Sequence, residues 1–462
     1  MNEKEHVHFI GIGGYGMSAI ARVLLDQGCY VTGSDVEKNK LVENLIQRGA
    51  KVTIGHQASN IDGADIVVYS TSIAENNVER VAAEKSNIET LHRSQMLARL
   101  FNDKRGIAVA GAHGKTTTSS MIAQTLEICG VDPTYVIGGE VVGLKGNAKA
   151  GKSEYVVAEA DESDGSFLNY YPMMAVITNI EADHLENYDG DFKKLLRAYR
   201  SFVSQVHSEG IAVLCWDDSY VRELHDHVGG RAITYGVDQQ ADYTAVNLRK
   251  QERKITFTVK KGEIALGDVT LGIPGKHNVS NALAVIIVCL EMGLSFEEIA
   301  SALSQFQGAK RRFQVIGEHD EVLVVDDYAH HPTEIQATLE AAKALNRRLI
   351  IVFQPQRYSR THLLMDEFSR AFTQADKLVI NTIYAPPGEQ PIEGVNSERL
   401  TELIRKNSNE EAVFIDQKED VLNYLLTEIK AGDLVITMGA GDIWRVSYQL
   451  VERLKQHTIT RS

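Results

Sequence analysis

Short apolar runs alternate with longer segments of helical period along almost the whole chain. Runs of strand length fall at 7–10, 66–69, 107–110, 155–158 and 175–178, and again at 211–214, 322–325, 349–353, 377–380 and 434–437. This alternation predicts α/β units with largely parallel sheets. Residues 254–260 (KITFTVK) alternate with period two instead, which predicts a small antiparallel insertion within 241–271. The pattern restarts three times: at a strand running into Gly11, at a strand running into Gly111, and at the strand 322–325 that leads to Asp326. The restarts set three expected domains, 1–105, 106–312 and 313–462.

Composition narrows the class. The 462 residues are 44% hydrophobic and 24% charged, an ordinary globular mixture. The charge sum, 48 − 62 = −14, disfavours a broad nucleic-acid surface. The longest apolar stretch, 282–290, is far below the ~20 residues a membrane helix needs, and no signal-peptide core precedes Gly11. The four cysteines, Cys29, Cys129, Cys215 and Cys289, have no metal-binding spacing. A soluble cytoplasmic protein is expected, with no nucleic-acid partner and no membrane insertion.

The first glycine cluster, Gly11-Ile12-Gly13-Gly14-Tyr15-Gly16, fits GxGxxG between a strand and the helical segment 17–25. Such glycines let a phosphate reach backbone N–H groups at a helix N-terminus. Asp35 ends the next strand, where an acid commonly accepts ribose hydroxyls. The motif leaves the nucleotide open, with NAD(H) as the default and a bare tight turn as the alternative.

The second cluster carries more chemistry. Gly111-Ala112-His113-Gly114-Lys115-Thr116-Thr117 contains the GK[ST] core of a phosphate loop, shortened because Gly111 lies only three residues before Gly114. Lys115 would neutralise β/γ-phosphates and Thr116 would ligate Mg²⁺. Two strands then lead into acids: Glu159, Asp161, Glu162 and Asp164 after one, Glu181, Asp183 and His184 after the other. Ligand groups gather beyond the carboxyl ends of parallel strands. Glu159 is a candidate oxygen ligand for Mg²⁺, and His184 a candidate for a second metal site. Solvated acids and capping residues are the alternative, most of all for Asp161, Glu162 and Asp183.

The combined pattern resembles the Mur ligase family. The stretches 110–118, 159–164, 178–184, 275–281 (GKHNVSN) and 310–313 (KRRF), with 326–332 (DDYAHHP), carry the resemblance in order along the chain. It implies a three-domain architecture: a Rossmann-like N-terminal domain, a central ATPase-like α/β domain and a Rossmann-like C-terminal domain. The implied reaction joins an amine to a carboxylate at the expense of ATP, through an acyl phosphate, with Mg²⁺ as two ions. Three further stretches, 9–18 (FIGIGGYGMS), 330–334 (HHPTE) and 353–361 (FQPQRYSRT), resemble the member that adds the first amino acid of the peptidoglycan precursor. The implied partners are UDP-N-acetylmuramate, L-alanine and ATP. A recycling ligase that attaches a whole tripeptide, an NAD-dependent dehydrogenase and a non-catalytic nucleotide sensor are the competing readings.

The resemblance also assigns residues. It implies UDP-sugar contacts from Gly13, Gly14, Tyr15, Gly16, Met17, Ser18, Ser34 and Asp35. ATP contacts are implied for the second loop, for Asn278 and Asn281, for Arg312 at the nucleotide phosphates and for Asp327 at the ribose. Tyr328, His330, Arg357 and Arg360 are implied around the incoming amino acid and the acyl phosphate, and domain closure is expected to assemble the site. Lys115, His184, His330, Arg357 and Arg360 form the implied catalytic set; Thr116, Glu159 and His184 form the metal set. The sequence departs from the family at Ala112, often Thr; at Ala19, often Gly; and at Gln356, where many members have His.

Overall fold

The computed structural model describes residues 5–144, 146–251, 254–386 and 388–456, so the outer ends of the first and third expected domains lie outside the described residues. The chain forms two compact units. One comprises Met1–Asn247, Phe257–Val269 and Val279–Phe306; the other comprises Leu248–Thr256, Thr270–Asn278 and Gln307–Ser462.

The first unit opens with a five-stranded sheet in the order Lys51–Ile54, Tyr30–Asp35, His6–Ile10, Ile66–Tyr69, Glu89–His92. Every pair in it is parallel. The chain runs outward from the first strand on one side and returns to its other side, so the carboxyl ends of His6–Ile10 and its neighbours form the crevice such sheets use for ligands. The helix Tyr15–Asp26 covers the sheet with Met17, Ile20, Ala21, Val23 and Leu24 buried.

A ten-stranded sheet follows. At its centre Met174–Ile177, Arg105–Ala110 and Tyr155–Glu159 are parallel neighbours. The helix Lys115–Ile128 springs from the loop after the middle strand. At one edge Tyr243–Gln251, Lys254–Lys261 and Ile264–Leu271 stand side by side. The expected insertion is therefore a continuation of the sheet. The turn at Gly262 joins its last two strands as a hairpin, a connection that only antiparallel neighbours allow.

The second unit carries a six-stranded sheet in the order Gln314–His319, Val322–Asp327, Leu434–Met438, Leu349–Phe353, Lys377–Ile380, Val413–Phe414. Only its first pair is antiparallel. Successive residues serve opposite faces: Leu323, Val325, Ile351 and Ile436 enter one core cluster, and Val324, Ile350, Val352 and Val435 the other. Burial on both faces explains why these strands read as continuous apolar runs.

Candidate functional site

The first glycine loop is braced from the neighbouring strand. The Ser34 carbonyl accepts from the N–H groups of Gly11 and Ile12 at 2.8 and 3.0 Å. Asp35 Oδ2 accepts from Gly13 N–H at 2.7 Å. A Cβ at Gly13 would stand 2.9 Å from that same oxygen and 2.8 Å from Val42 and Asn39, so glycine is required there. Gly14 caps the helix without a side chain, Tyr15 is exposed and Met17 lies in the core. Ser18 turns its hydroxyl onto the Tyr15 carbonyl at 3.0 Å. The guanidinium of Arg93 would lie 3.3 Å from a Cβ on Gly16, a cation beside the loop that no motif announced.

The second loop sits between the two strands that carry the acids. Asn179 holds it from one side: its carbonyl accepts from Ala112 N–H at 3.1 Å, its Oδ1 from His113 N–H at 2.8 Å, and its Nδ2 donates to the His113 carbonyl at 2.9 Å. Thr178 Oγ1 donates to the same carbonyl at 2.6 Å. Gly114 caps the helix with φ +85°, and a Cβ there would meet Asn281 Oδ1 at 2.9 Å. Asn281 thus packs on the loop, while Asn278 Nδ2 donates to the Pro274 carbonyl at 2.6 Å.

Lys115 Nζ donates to the Gly111 carbonyl at 2.6 Å and to both oxygens of Glu162 at 2.7 and 2.9 Å. Glu162 is 3% exposed, so the solvated reading of that acid does not hold. Burial raises the Glu162 pKa despite the lysine. Asp161 is lowered: burial opposes its charge, but Lys115, the Ser163 N–H and His184 outweigh it. On the other flank Glu159 Oε2 accepts from Thr116 Oγ1 at 3.2 Å, and Oε1 accepts from Gly138 N–H at 2.6 Å and from Ser119 Oγ at 3.3 Å. Hydroxyl and carboxylate oxygens converging at a helix N-terminus fit a hard divalent cation such as Mg²⁺. His184 has a left-handed backbone, φ +55°, with Nε2 3.5 Å from Asp183. His113 Nε2 lies 3.3 Å from Glu181.

In the second unit most of the predicted residues lie at the carboxyl ends of two parallel strands, Val322–Asp327 and Leu349–Phe353, which flank Leu434–Met438. Asp327 ends the first. It is 6% exposed and accepts from the N–H groups of Phe313 and Ala329 at 2.8 and 2.7 Å. Burial pushes its pKa up to about 6, against the pull of Arg312 and these two donors. The guanidinium groups of Arg311 and Arg312 both lie over the Tyr328 ring, 4.9 and 5.1 Å from its centre. Arg311 is committed to the fold, bonding Asp326 at 3.0 Å and the Gly439 and Gly441 carbonyls. Arg312 pairs with Glu334 at 3.3 Å. His330 packs edge-on to Tyr328, places Nδ1 2.9 Å from the Tyr328 carbonyl and donates its backbone N–H to Glu334. Burial takes its pKa down to about 4, so the ring is neutral at pH 7.

Arg357 opens the helix Tyr358–Leu363 with φ +69°, a conformation that favours glycine. Its N–H donates to the Tyr384 carbonyl at 2.9 Å. Arg360 is 7% exposed and donates to Gln356 Oε1 at 2.9 Å. Gln356 therefore occupies itself with the second arginine.

Two groups of acids and amides escaped sequence reasoning. Asn179 and Glu334 were inside quoted motifs, but their partners were not legible. Glu79, discussed below, lies in no motif at all.

Residues 6–105 match the Mur ligase family catalytic domain, 109–289 the Mur ligase middle domain and 311–441 the Mur ligase glutamate ligase domain. The chain belongs to the Mur ligase family. The UDP-N-acetylmuramate–L-alanine ligase of Symbiobacterium thermophilum is 47% identical over 469 residues, which cover 100% of this chain and 97% of that one. That of Geotalea daltonii is 46% identical, with 98% of each chain covered. The structure of UDP-N-acetylmuramate–alanine ligase from Thermotoga maritima has a TM-score of 0.82 at 28% identity, covering 98% of this chain and 99% of that one. A murein peptide ligase from Psychrobacter arcticus gives 0.69 at 25% identity, with the same coverage. This Mur ligase therefore has the family's three-domain α/β architecture. No helix among its described residues is long and apolar enough to cross a membrane.

Proposed function

We propose that this Mur ligase joins L-alanine to the lactyl carboxylate of UDP-N-acetylmuramate while ATP becomes ADP and phosphate, a step of peptidoglycan precursor synthesis. Full-length identity of 46–47% to relatives of that name carries the reading. The cytoplasm is the proposed site of action, and the domains are proposed as 1–105, 106–312 and 313–462.

A carboxylate resists attack by an amine because it offers no good leaving group. Phosphorylation supplies one, and an acyl phosphate reacts with the amine of L-alanine to release phosphate. The protein's task is positioning and charge neutralisation. Lys115 is the proposed partner of the β/γ-phosphates, cradled with the N–H groups of the second loop. Thr116 and Glu159 are the proposed ligands of one Mg²⁺ and His184 of a second; bound there, the metal would neutralise phosphate charge. Asn278, Asn281, Arg312 and Asp327 are proposed for ATP. The first glycine loop, with Ser34 and Asp35, is proposed for the UDP-sugar.

Arg357 and Arg360 are proposed to take the alanine carboxylate and the acyl-phosphate oxygens, which a planar guanidinium suits. His330 is proposed beside the amine. With Nδ1 donating to the Tyr328 carbonyl, its Nε2 is left as an acceptor for an N–H of alanine.

The test is phosphate release with ATP, Mg²⁺, UDP-N-acetylmuramate and L-alanine, each omitted in turn. Release that needs all four is the expected result. Release only with a tripeptide in place of alanine would move the chain to the recycling reaction.

A further inference from the structure

Behind the first glycine loop lies a buried carboxylate that no motif announces. Glu79, in the first turn of the helix Val78–Lys85, is 0% exposed. Its Oε1 accepts from Asn60 Nδ2 at 2.6 Å and from Gln57 N–H at 3.1 Å. Its Oε2 accepts from Ser34 Oγ at 2.6 Å and lies 3.1 Å from His8 Nε2. Ser34 Oγ is also 3.0 Å from His56 Nδ1, and that nitrogen is 3.4 Å from Glu79 Oε1.

Counting protons along this chain fixes one more group. A hydroxyl has a single proton, and the ionised carboxylate can only accept, so the Ser34 proton points at Glu79. Ser34 Oγ must then accept from His56, which puts the His56 proton on Nδ1. The bond to Glu79 demands the same tautomer. Nε2 is left bare, with no protein partner among the described residues, on a side chain that is 20% exposed.

His56 stands just beyond the carboxyl end of Lys51–Ile54, the strand outside the one that ends in Asp35. The edge thus runs from the glycine loop to Asp35 to His56, which matches phosphate, ribose and base in a bound nucleotide. We infer that Glu79, acting through Ser34, presents His56 Nε2 as a hydrogen-bond acceptor for the imide N3–H of a uracil base. Uracil has a donor there and cytosine has a lone pair, so the acceptor welcomes one and repels the other. Glu79 is a positioning residue, and the pair selects the pyrimidine. The inference rests on the reading of this loop as the UDP-sugar site.

Calorimetric titration of UDP and CDP into the full chain tests it. The wild type should favour UDP by about tenfold or more, the worth of one hydrogen bond exchanged for a repulsion. His56→Ala should abolish the preference, lowering UDP affinity through the lost hydrogen bond and raising CDP affinity through the relieved repulsion. Glu79→Gln should narrow the ratio, because an amide at 79 can donate and frees the His56 tautomer; a structural role alone would weaken both nucleotides equally. A wild type without preference, or a His56→Ala variant that keeps it, overturns the inference. Gly13→Ala separates the two readings: if UDP binding ignores it, the loop is not the UDP site, and if it weakens UDP while the His56→Ala ratio stays, only the role of His56 and Glu79 falls.

Discussion

The ammonium of Lys115 and the carboxylate of Glu162 form a bidentate pair, 2.7 and 2.9 Å, inside the phosphate loop. The lysine is therefore already neutralised before any phosphate arrives. On the role proposed for Lys115, a nucleotide takes over part of this bonding from the carboxylate.

Lys115→Ala has two expected effects. Phosphate release disappears, and the melting temperature falls because Glu162 is left buried with no counter-ion; removing one partner of such a pair costs about 3–5 kcal/mol. A Lys115→Met, Glu162→Gln double variant should regain most of the melting temperature and none of the activity. Equal melting temperatures for Lys115→Ala and wild type would contradict the pairing.

Thr116 and Glu159 offer the oxygens that suit Mg²⁺. Glu159→Gln and Thr116→Ala should each raise the Mg²⁺ concentration for half-maximal phosphate release by roughly tenfold. A Mg²⁺ titration at saturating ATP reads this directly. Unchanged half-saturation would move the metal elsewhere.

Asp35 spends one oxygen on Gly13 N–H. Asp35→Ala should therefore weaken UDP-sugar binding through the loop itself, while ATP binding stays. Asp35→Asn keeps an acceptor and should lose less than the alanine variant. Equal losses for UDP-sugar and ATP would argue against the first loop as the sugar-nucleotide site.

Gln356 fixes Arg360 through a neutral oxygen. Gln356→Ala should raise KM for alanine several-fold and leave KM for ATP alone. Gln356→His should add an acid limb to kcat/KM for alanine, because imidazole accepts from a guanidinium only when deprotonated. A pH profile identical to wild type would show that the residue does not position Arg360.

Buried Asp327 and partly buried His330, both in the second unit, give opposite pH signs. His330 is depressed from 6.5 to about 4, so its contribution to stability is present above pH 6.5 and lost as pH falls through about 4. Asp327 is raised from 3.8 to about 6, so its contribution is present below pH 3.8 and lost as pH rises through about 6. His330→Gln should remove the first loss, and denaturation midpoints from pH 4 to 7 should show the wild type falling relative to the variant as pH drops. If Asp327 accepts from ribose in its ionised form, ATP affinity should also decline below about pH 6.

What was legible in the sequence is what is local. The glycine loops, Lys115 and Glu159 announce themselves because strand, turn and acid follow one another within a few residues. The apolar runs located the strands because both faces of the second unit's sheet are buried. Partners that meet only in the fold were not legible. Glu79 reaches Ser34 across 45 positions, Glu162 reaches Lys115 across 47, and Asn179 reaches His113 across 66. For Glu162 a solvated acid stayed open as the alternative, because charge and neighbours along the chain are the same for a surface acid and a buried one.

Arg357 closes its turn in a backbone conformation that glycine would adopt with less strain. A side chain held there costs roughly 1 kcal/mol or more, and the strain sits next in sequence to Gln356, which accepts from Arg360. Heat resistance and the role proposed for Arg357 thus pull that position in opposite directions. An engineer who relaxed this turn to harden the protein would be removing the guanidinium proposed for the alanine carboxylate.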